Sequence, residues 1–325
     1  MRRVFVTRRL PEAGVRGLLA APDLVVDIRQ RDDAIPRQEL LQRIEGCSGV
    51  ITILSDRVDR EFLAAAGDHL RIVANYAVGF DNIDLAACSE AGVAVSNTPD
   101  VLTNATADLA MALMLAVSRR FREGQSLAES GSWSGWEPMQ LLGRDVSGAT
   151  LGIIGMGRIG TALAKRAQGF AMNVLYHNRR PNPEAESRMD VRFAELPSLL
   201  EQSDFVSLHC PLSEATHHLI GAPELKRMKE SAVIINTARG AIIDEQALLE
   251  ALLQKQIWGA GLDVFEREPE ITQGLAHLPN VVMLPHLGSA TTEARTAMAR
   301  LCSEAVLAVL QHKKVAHLLN PEVIS

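Results

Sequence analysis

Cysteine is scarce in this sequence, and its placement excludes more than its number does. The four residues, Cys47, Cys88, Cys210 and Cys302, lie far apart with no Cys-x-x-Cys pair. Such spacing builds neither a disulfide framework nor a zinc site, so no metal is expected and a reducing cytosol suits the chain. Lysine is sparse too, found only at 165, 226, 229, 255, 313 and 314, and arginine carries most of the positive charge. The formal net charge of -6 has the wrong sign for a partner of nucleic-acid phosphates. No stretch reaches the roughly 20 apolar residues of a membrane span. Between Met1 and Arg9 only a short apolar run separates arginines, too little for the core of a secretory signal. That segment reads as a buried first strand, and the expected address is cytoplasmic, away from membranes.

What is present is an ordinary globular composition, 47% hydrophobic and 22% charged over 325 residues, long enough for two domains. Short apolar runs at 4–7, 24–28, 49–54, 71–76 and 93–96 alternate with helical patterns at 12–20, 37–45, 60–66 and 85–91. A long helical pattern follows Pro99, with Thr103 or Asn104 as its cap, and continues through 105–120 and beyond. Strands resume at 151–154, 173–177, 205–209, 232–236, 259–264 and 281–284, with helices at 158–170, 196–202, 224–229 and 244–254. An amphipathic helix over 291–312 closes the chain. Continuous apolar strands separated by helices predict parallel sheets covered on both faces. The expected fold is α/β, two Rossmann-like doubly wound domains with the second inserted into the first. Residues 1–99 with 287–325 are expected to form one domain, and 100–286 the inserted one, whose doubly wound sheet is of the dinucleotide-binding type. A ligand is expected in the cleft between them.

The clearest motif is Gly155-Met156-Gly157-Arg158-Ile159-Gly160. It directly follows one expected strand and opens a helix. The three glycines serve the tight turn, the approach of backbone to a pyrophosphate, and helix-strand packing. NAD-binding versions of this motif end the next strand with an acidic residue that accepts from the ribose 2′-hydroxyl. Here the strand ends His177-Asn178-Arg179-Arg180-Pro181. Asn178 replaces the acid, and two guanidinium groups suited to phosphate follow it. The expected cofactor is NADPH, with NADH possible; the alternative makes Arg179 and Arg180 a solvated loop pair.

Three further segments put polar residues at strand ends: Asn236-Thr237-Ala238-Arg239-Gly240, Asp263-Val264-Phe265-Glu266-Arg267-Glu268-Pro269, and Pro285-His286-Leu287-Gly288-Ser289. Together with the glycine loop, and with Asn75-Tyr76-Ala77-Val78-Gly79-Phe80-Asp81-Asn82-Ile83-Asp84, they resemble the D-isomer-specific 2-hydroxyacid dehydrogenases over nearly the whole chain. The resemblance is strongest to the glyoxylate and hydroxypyruvate reductase branch. It implies Arg239, Glu268 and His286 as catalytic residues. Physical chemistry supports the same roles. A bidentate arginine clamps the carboxylate of a 2-oxo acid, and a histidine gives a proton to the developing alkoxide. A carboxylate held against that histidine orients its ring. Taken singly, Arg239 could be a surface ion pair and His286 a core histidine, and Glu266 competes with Glu268.

The resemblance also implies that the amides of Val78 and Gly79 hold the substrate carboxylate opposite Arg239 and that Leu54 lines the pocket. The plainer alternative for that segment is a turn in which Asp81 caps a helix. Trp136, in the loop Gly131-Ser132-Trp133-Ser134-Gly135-Trp136-Glu137-Pro138, matches a tryptophan on a dimerisation arm that reaches the neighbour's active site. A homodimer is therefore expected; a buried structural tryptophan is the alternative. Further cofactor contacts carried over are Thr106, Arg158, Ile159, His209, Cys210, Pro211, Thr216, Thr237, Ala238, Asp263, His286 and Gly288. Cys210 reads as small and buried rather than reactive. The rival readings are another member of the family (phosphoglycerate, D-lactate, formate or phosphite dehydrogenase) or a dinucleotide-sensing binding protein of the corepressor kind. The missing acid after residue 177 disfavours strictly NAD-linked members, and the retained triad favours chemistry.

Overall fold

Continuous apolar runs too short for helices become strands when sheet neighbours bury them on both faces. The computed structural model of the chain describes residues 1–324, and this rule holds through both of its units. One unit is formed by Met1–Leu102 with the segment from Ala290 onward, the other by Thr103–Ser289.

In the first unit the order is β1 (Arg2–Val6), α1 (Glu12–Leu19), β2 (Leu24–Ile28), α2 (Arg37–Ile44), β3 (Gly49–Thr52), α3 (Arg60–Ala66), β4 (Ile72–Asn75), α4 (Leu85–Glu90) and β5 (Ala94–Ser96). The strands pair in parallel in the order β2-β1-β3-β4-β5. Every residue of β3 and β4 is buried. The helix over Thr292–Leu310 packs on α1 and across β3, β4 and β5, with the Thr291 hydroxyl accepting from the Ala294 amide to cap it. Asn320 accepts from the Val95 amide and donates to the Val93 carbonyl. It thereby pins the terminal segment along β5, the strand at the sheet's edge.

The second unit runs α5 (Thr103–Ser118), α6 (Phe121–Glu129), β6 (Thr150–Ile154), α7 (Arg158–Gln168), β7 (Asn173–His177), α8 (Pro183–Arg188), β8 (Val191–Phe193), α9 (Leu196–Gln202), β9 (Phe205–Leu208), α10 (Ala222–Arg227), β10 (Val233–Asn236), α11 (Glu245–Leu253), β11 (Gly259–Leu262) and β12 (Val281–Met283). Its parallel sheet has the order β12-β11-β10-β9-β6-β7-β8. The order reverses between β6 and β9, so the loop after β6 opens at a topological switch point, where doubly wound sheets bind their ligands. Apolar clusters cover both faces. One is built on Leu208, Ile234, Leu248 and Leu262, the other on Met114, Ile153, Leu163, Tyr176 and Ile235.

Some local readings change. The long helical pattern after Pro99 breaks into α5 and α6, because Arg120 takes a left-handed conformation (φ 52°). The Arg144 amide donates to the Ser118 carbonyl at 2.9 Å, which satisfies the end of α5 from another segment. Thr103 begins that helix rather than capping it. The edge strand β8 and the short α8 escape the sequence pattern, since three residues alternating about Arg192 carry almost no periodic signal.

Candidate active site

The glycine loop has the geometry each of its positions demands. Gly155 has φ 103°, and a Cβ there would lie 2.5 Å from the Cys210 amide nitrogen. A Cβ on Gly160 would run into the Gly155 carbonyl, whereas nothing lies within 4 Å of one on Gly157. Gly157 is exposed and N-caps α7 without a side-chain hydrogen bond. Open backbone at the start of an 11-residue helix fits a pyrophosphate, whose charge the helix dipole favours. Arg158 is exposed beside it, and Ile159 packs against the sheet.

At the end of β7, the Asn178 Oδ1 accepts from the Met156 amide at 2.8 Å. The donor is an N–H, so the side-chain oxygen is committed and Nδ2 remains for another partner. Arg179 and Arg180 are exposed, and among the described residues no carboxylate pairs with either. On the other side of the loop the Ser207 hydroxyl and His209 Nε2 are 2.8 Å apart, and burial pulls His209 down to about 4, so its ring is neutral. Cys210 is half-buried, and burial pushes its thiol up to about 11, which keeps it unreactive. Pro211 is exposed, and its carbonyl accepts from the Thr216 hydroxyl at 2.7 Å. Thr216 is therefore tied into its own loop.

The chemical residues follow β10, β11 and β12. Buried Asn236 donates to the Arg239 carbonyl at 2.8 Å and accepts from the Ala238 amide at 3.0 Å. A Cβ on Gly240 would overlap the Phe265 carbonyl, so only glycine lets the Arg239 loop lie against the segment leading to Glu268. Arg239 is half-buried and donates to the Ala238 carbonyl at 2.8 Å. The Thr237 hydroxyl is buried with no partner among the described residues, an orphaned group of the kind a bound ligand satisfies.

Glu268 and His286 meet directly. The Nδ1 of His286 and Oε2 of Glu268 are 2.8 Å apart, and Oε1 of Glu268 accepts from the Phe265 amide at 3.0 Å. Desolvation pushes the Glu268 carboxyl up, but the His286 hydrogen bond and charge, the Phe265 amide and Arg239 outweigh it. The net shift is down. An ionised carboxylate only accepts, so Nδ1–H of His286 donates and Nε2 faces away from the pair. The competing Glu266 goes elsewhere, to His218 Nε2 at 3.2 Å. Asp263 holds the turn that carries His286: its carboxylate accepts from the amides of Leu287 at 2.6 Å and Gly288 at 2.7 Å. Burial pushes the Asp263 carboxyl up, and those two amides offset only part of the rise, so it stays above its ordinary range. Buried Thr106 donates to the Gly288 carbonyl at 3.0 Å.

In the first unit, Leu54 follows β3 and is exposed, while Val78 and Gly79 are half-buried in the loop after β4. The helix after that loop is capped by Asp84, which accepts from the Ala87 amide at 2.9 Å; Asp81 does not cap it. Trp136 is 81% exposed, which removes the buried structural alternative for that side chain. Among the described residues no cluster of three or more His, Cys, Asp or Glu could hold a metal ion, and no helix is long and apolar enough to cross a membrane. Sequence reasoning passed over Asn236 and Gly240 as functional supports. Their signal was the spacing Asn-x-x-Arg-Gly directly after a buried strand.

A glycine loop at a switch point, with an arginine and a His–Glu pair at neighbouring strand ends, defines a dinucleotide-dependent dehydrogenase. Comparison with known proteins narrows the class. Residues 111–288 match the model of the D-isomer specific 2-hydroxyacid dehydrogenase NAD binding domain. The chain is 45% identical to a glyoxylate reductase of Thermococcus litoralis, over 99% of this chain and 98% of the relative. A crystal structure of a protein from Thermus thermophilus superposes with a TM-score of 0.92 at 45% identity, covering 98% of this chain and 99% of that one. An NADPH-dependent glyoxylate/hydroxypyruvate reductase of Sinorhizobium meliloti, solved with NADP and malonate, gives 0.86 at 30% identity, covering 98% and 97%. The chain belongs to the D-isomer specific 2-hydroxyacid dehydrogenase family and is an NAD(P)-dependent oxidoreductase.

Proposed function

We propose that this protein reduces small 2-oxo acids, glyoxylate to glycolate and hydroxypyruvate to D-glycerate, with NADPH as the preferred cofactor. The carrying observation is the 2.8 Å contact between Nδ1 of His286 and Glu268, which supports a role for Nε2 as the proton donor. When bound, a reduced nicotinamide would supply the hydride. Arg239 clamps the substrate carboxylate and fixes the carbonyl carbon for attack. His286 gives its Nε2 proton to the carbonyl oxygen as the carbon takes the hydride, so a 2-hydroxy acid leaves with the electrons. Glu268 keeps the ring oriented and offsets its positive charge. Leu54, Val78 and Gly79 are assigned to substrate, and Thr106, Thr237, Ala238, Asp263 and Gly288 to the nicotinamide side.

NADPH is favoured because a 2′-phosphate would meet no carboxylate at Asn178, while exposed Arg179 and Arg180 suit it. The relatives named as glyoxylate reductases support the substrate class. A homodimer is proposed from the exposed apolar side chains of one segment, Trp133, Trp136, Met139 and Leu142, which water does not favour leaving bare. Trp136 would reach the partner's substrate. A cytoplasmic address completes the reading, since all four cysteines are free thiols. Steady-state kinetics at 340 nm with glyoxylate, hydroxypyruvate, pyruvate and 3-phosphohydroxypyruvate, each with NADPH and NADH, tests it. The highest kcat/KM should fall on one of the first two with NADPH; a higher value for either other acid would overturn the substrate assignment.

A further inference from the structure

The loop after β4 is held in an unusual way. Its three consecutive carbonyls all accept hydrogen bonds from the ends of β4 and β5. The Ala77 carbonyl accepts from the Thr98 amide at 3.0 Å. That of Val78 accepts from Asn97 Nδ2 at 2.8 Å, and that of Gly79 from Asn75 Nδ2 at 2.9 Å. A trans peptide sets its N–H opposite its C=O. Holding these carbonyls therefore turns the amides of Val78, Gly79 and Phe80 away from the strand ends. None of the three donates within the chain among the described residues.

The two asparagines are themselves fixed. Asn75 is fully buried and accepts from the Thr52 hydroxyl at 3.2 Å. It also exchanges amide contacts with Asn82 at 3.3 Å, and Asn82 donates to the carbonyls of Ile53 at 3.2 Å and Asp56 at 2.9 Å. A side-chain amide can donate while its oxygen is engaged elsewhere, which a carboxylate of the same shape cannot do.

We infer that Asn75 and Asn97 are positioning residues that set the aim of a three-amide anion site at Val78, Gly79 and Phe80. Their N–H groups hold the backbone carbonyls and leave the amides presented to the carboxylate of a 2-oxo acid. The inference rests on the substrate class proposed above, but it concerns how the loop is preorganised. An anion then binds without first reorienting three peptide planes. Asn97 is half-buried at the end of β5, so it is the residue that can be altered with least damage to the core.

The test uses the full chain with NADP(H) and the variants Asn97→Ala and Asn97→Asp. The aspartate keeps the shape and removes the donor, so it decides the matter if the alanine variant folds poorly. KM for glyoxylate is measured kinetically. The dissociation constant of oxalate, a dicarboxylate that needs no turnover, is measured by calorimetry on the cofactor-bound protein. Both constants should rise about ten-fold, the effect of one misdirected hydrogen bond, with kcat falling far less and cofactor affinity unchanged. A merely structural role for Asn97 would lower the melting temperature and kcat while leaving oxalate affinity as it was, and that result would overturn the inference. Oxalate that fails to bind the wild type would overturn it as well. Wild-type protein that binds oxalate but does not reduce glyoxylate would sink the proposed function alone; the oxalate comparison then still decides the loop.

Discussion

The backbone carbonyl of Asp263 accepts from the His286 amide at 2.8 Å, while the Asp263 carboxylate takes the next two amides of the chain. His286 is held in this way at φ 55°, a left-handed conformation that a residue with a Cβ rarely adopts. Such strain costs about 1–3 kcal/mol and persists only where the surroundings over-determine it. Asp263→Ala would strand the half-buried Leu287 amide and the buried Gly288 amide. We expect a loss of roughly 1–3 kcal/mol of stability and a fall in kcat larger than that stability loss explains. Calorimetric melts and kinetics on the same preparation check both; unchanged turnover in a folded variant would remove the turn from the account.

The proposed proton donor and the proposed clamp should separate kinetically. His286→Ala is expected to lower kcat by about 10²–10⁴-fold, the usual worth of a positioned acid, while cofactor still quenches protein fluorescence as in the wild type. Arg239→Lys keeps the charge but not the planar fork, and should raise KM for glyoxylate more than it lowers kcat.

Acid should weaken the His286–Glu268 contact from the carboxylate side. The Glu268 carboxyl sits below its ordinary range in the folded protein. Its share of stability is therefore complete above the ordinary Glu value and is lost as pH falls through the lowered one. The melting temperatures of wild type and Glu268→Gln should differ at neutral pH and converge in acid. The pair is partly exposed, so the difference corresponds to no more than about 1 kcal/mol. Melts between pH 3 and 7 test this, and a gap that widened in acid would reverse the sign.

Cofactor choice should respond to the loop after β7. Arg179→Ala and Arg180→Ala are expected to raise KM for NADPH several-fold and leave that for NADH nearly unchanged. Asn178→Asp retains an acceptor for the Met156 amide and adds charge, so it should move the ratio of kcat/KM values toward NADH. Parallel titrations with both cofactors settle the direction.

The exposed tryptophan at 136 should disappear into an interface in solution. Sedimentation equilibrium is expected to give twice the mass of the chain. Trp136→Ala should lower activity without changing the Kd for NADPH. A monomer at full activity would refute the arm assignment.

The helix and strand alternation was readable because period and continuity of apolar residues survive without tertiary context. The glycine loop was readable because its spacing is tied to a strand before and a helix after. Other features were hidden. The left-handed Arg120 that divides α5 from α6 sits where the Arg144 amide satisfies the Ser118 carbonyl, a contact between segments 26 residues apart in the chain. The three-residue β8 exists only because β7 offers it an edge.

The sequence by itself determined the parallel α/β architecture, the dinucleotide loop and the set of polar residues at strand ends. These rest on local pattern and on residue types that few other environments accommodate. Only the tertiary structure decided which of those residues meet. Glu266 and Glu268 are two positions apart, yet one reaches His218 and the other His286. Asn178 proves to be bonded to the glycine loop, and Asn75 and Asn97 to the backbone of Val78 and Gly79. Side-chain direction and hydrogen-bond commitment follow from packing between distant segments, and no spacing along the chain encodes them.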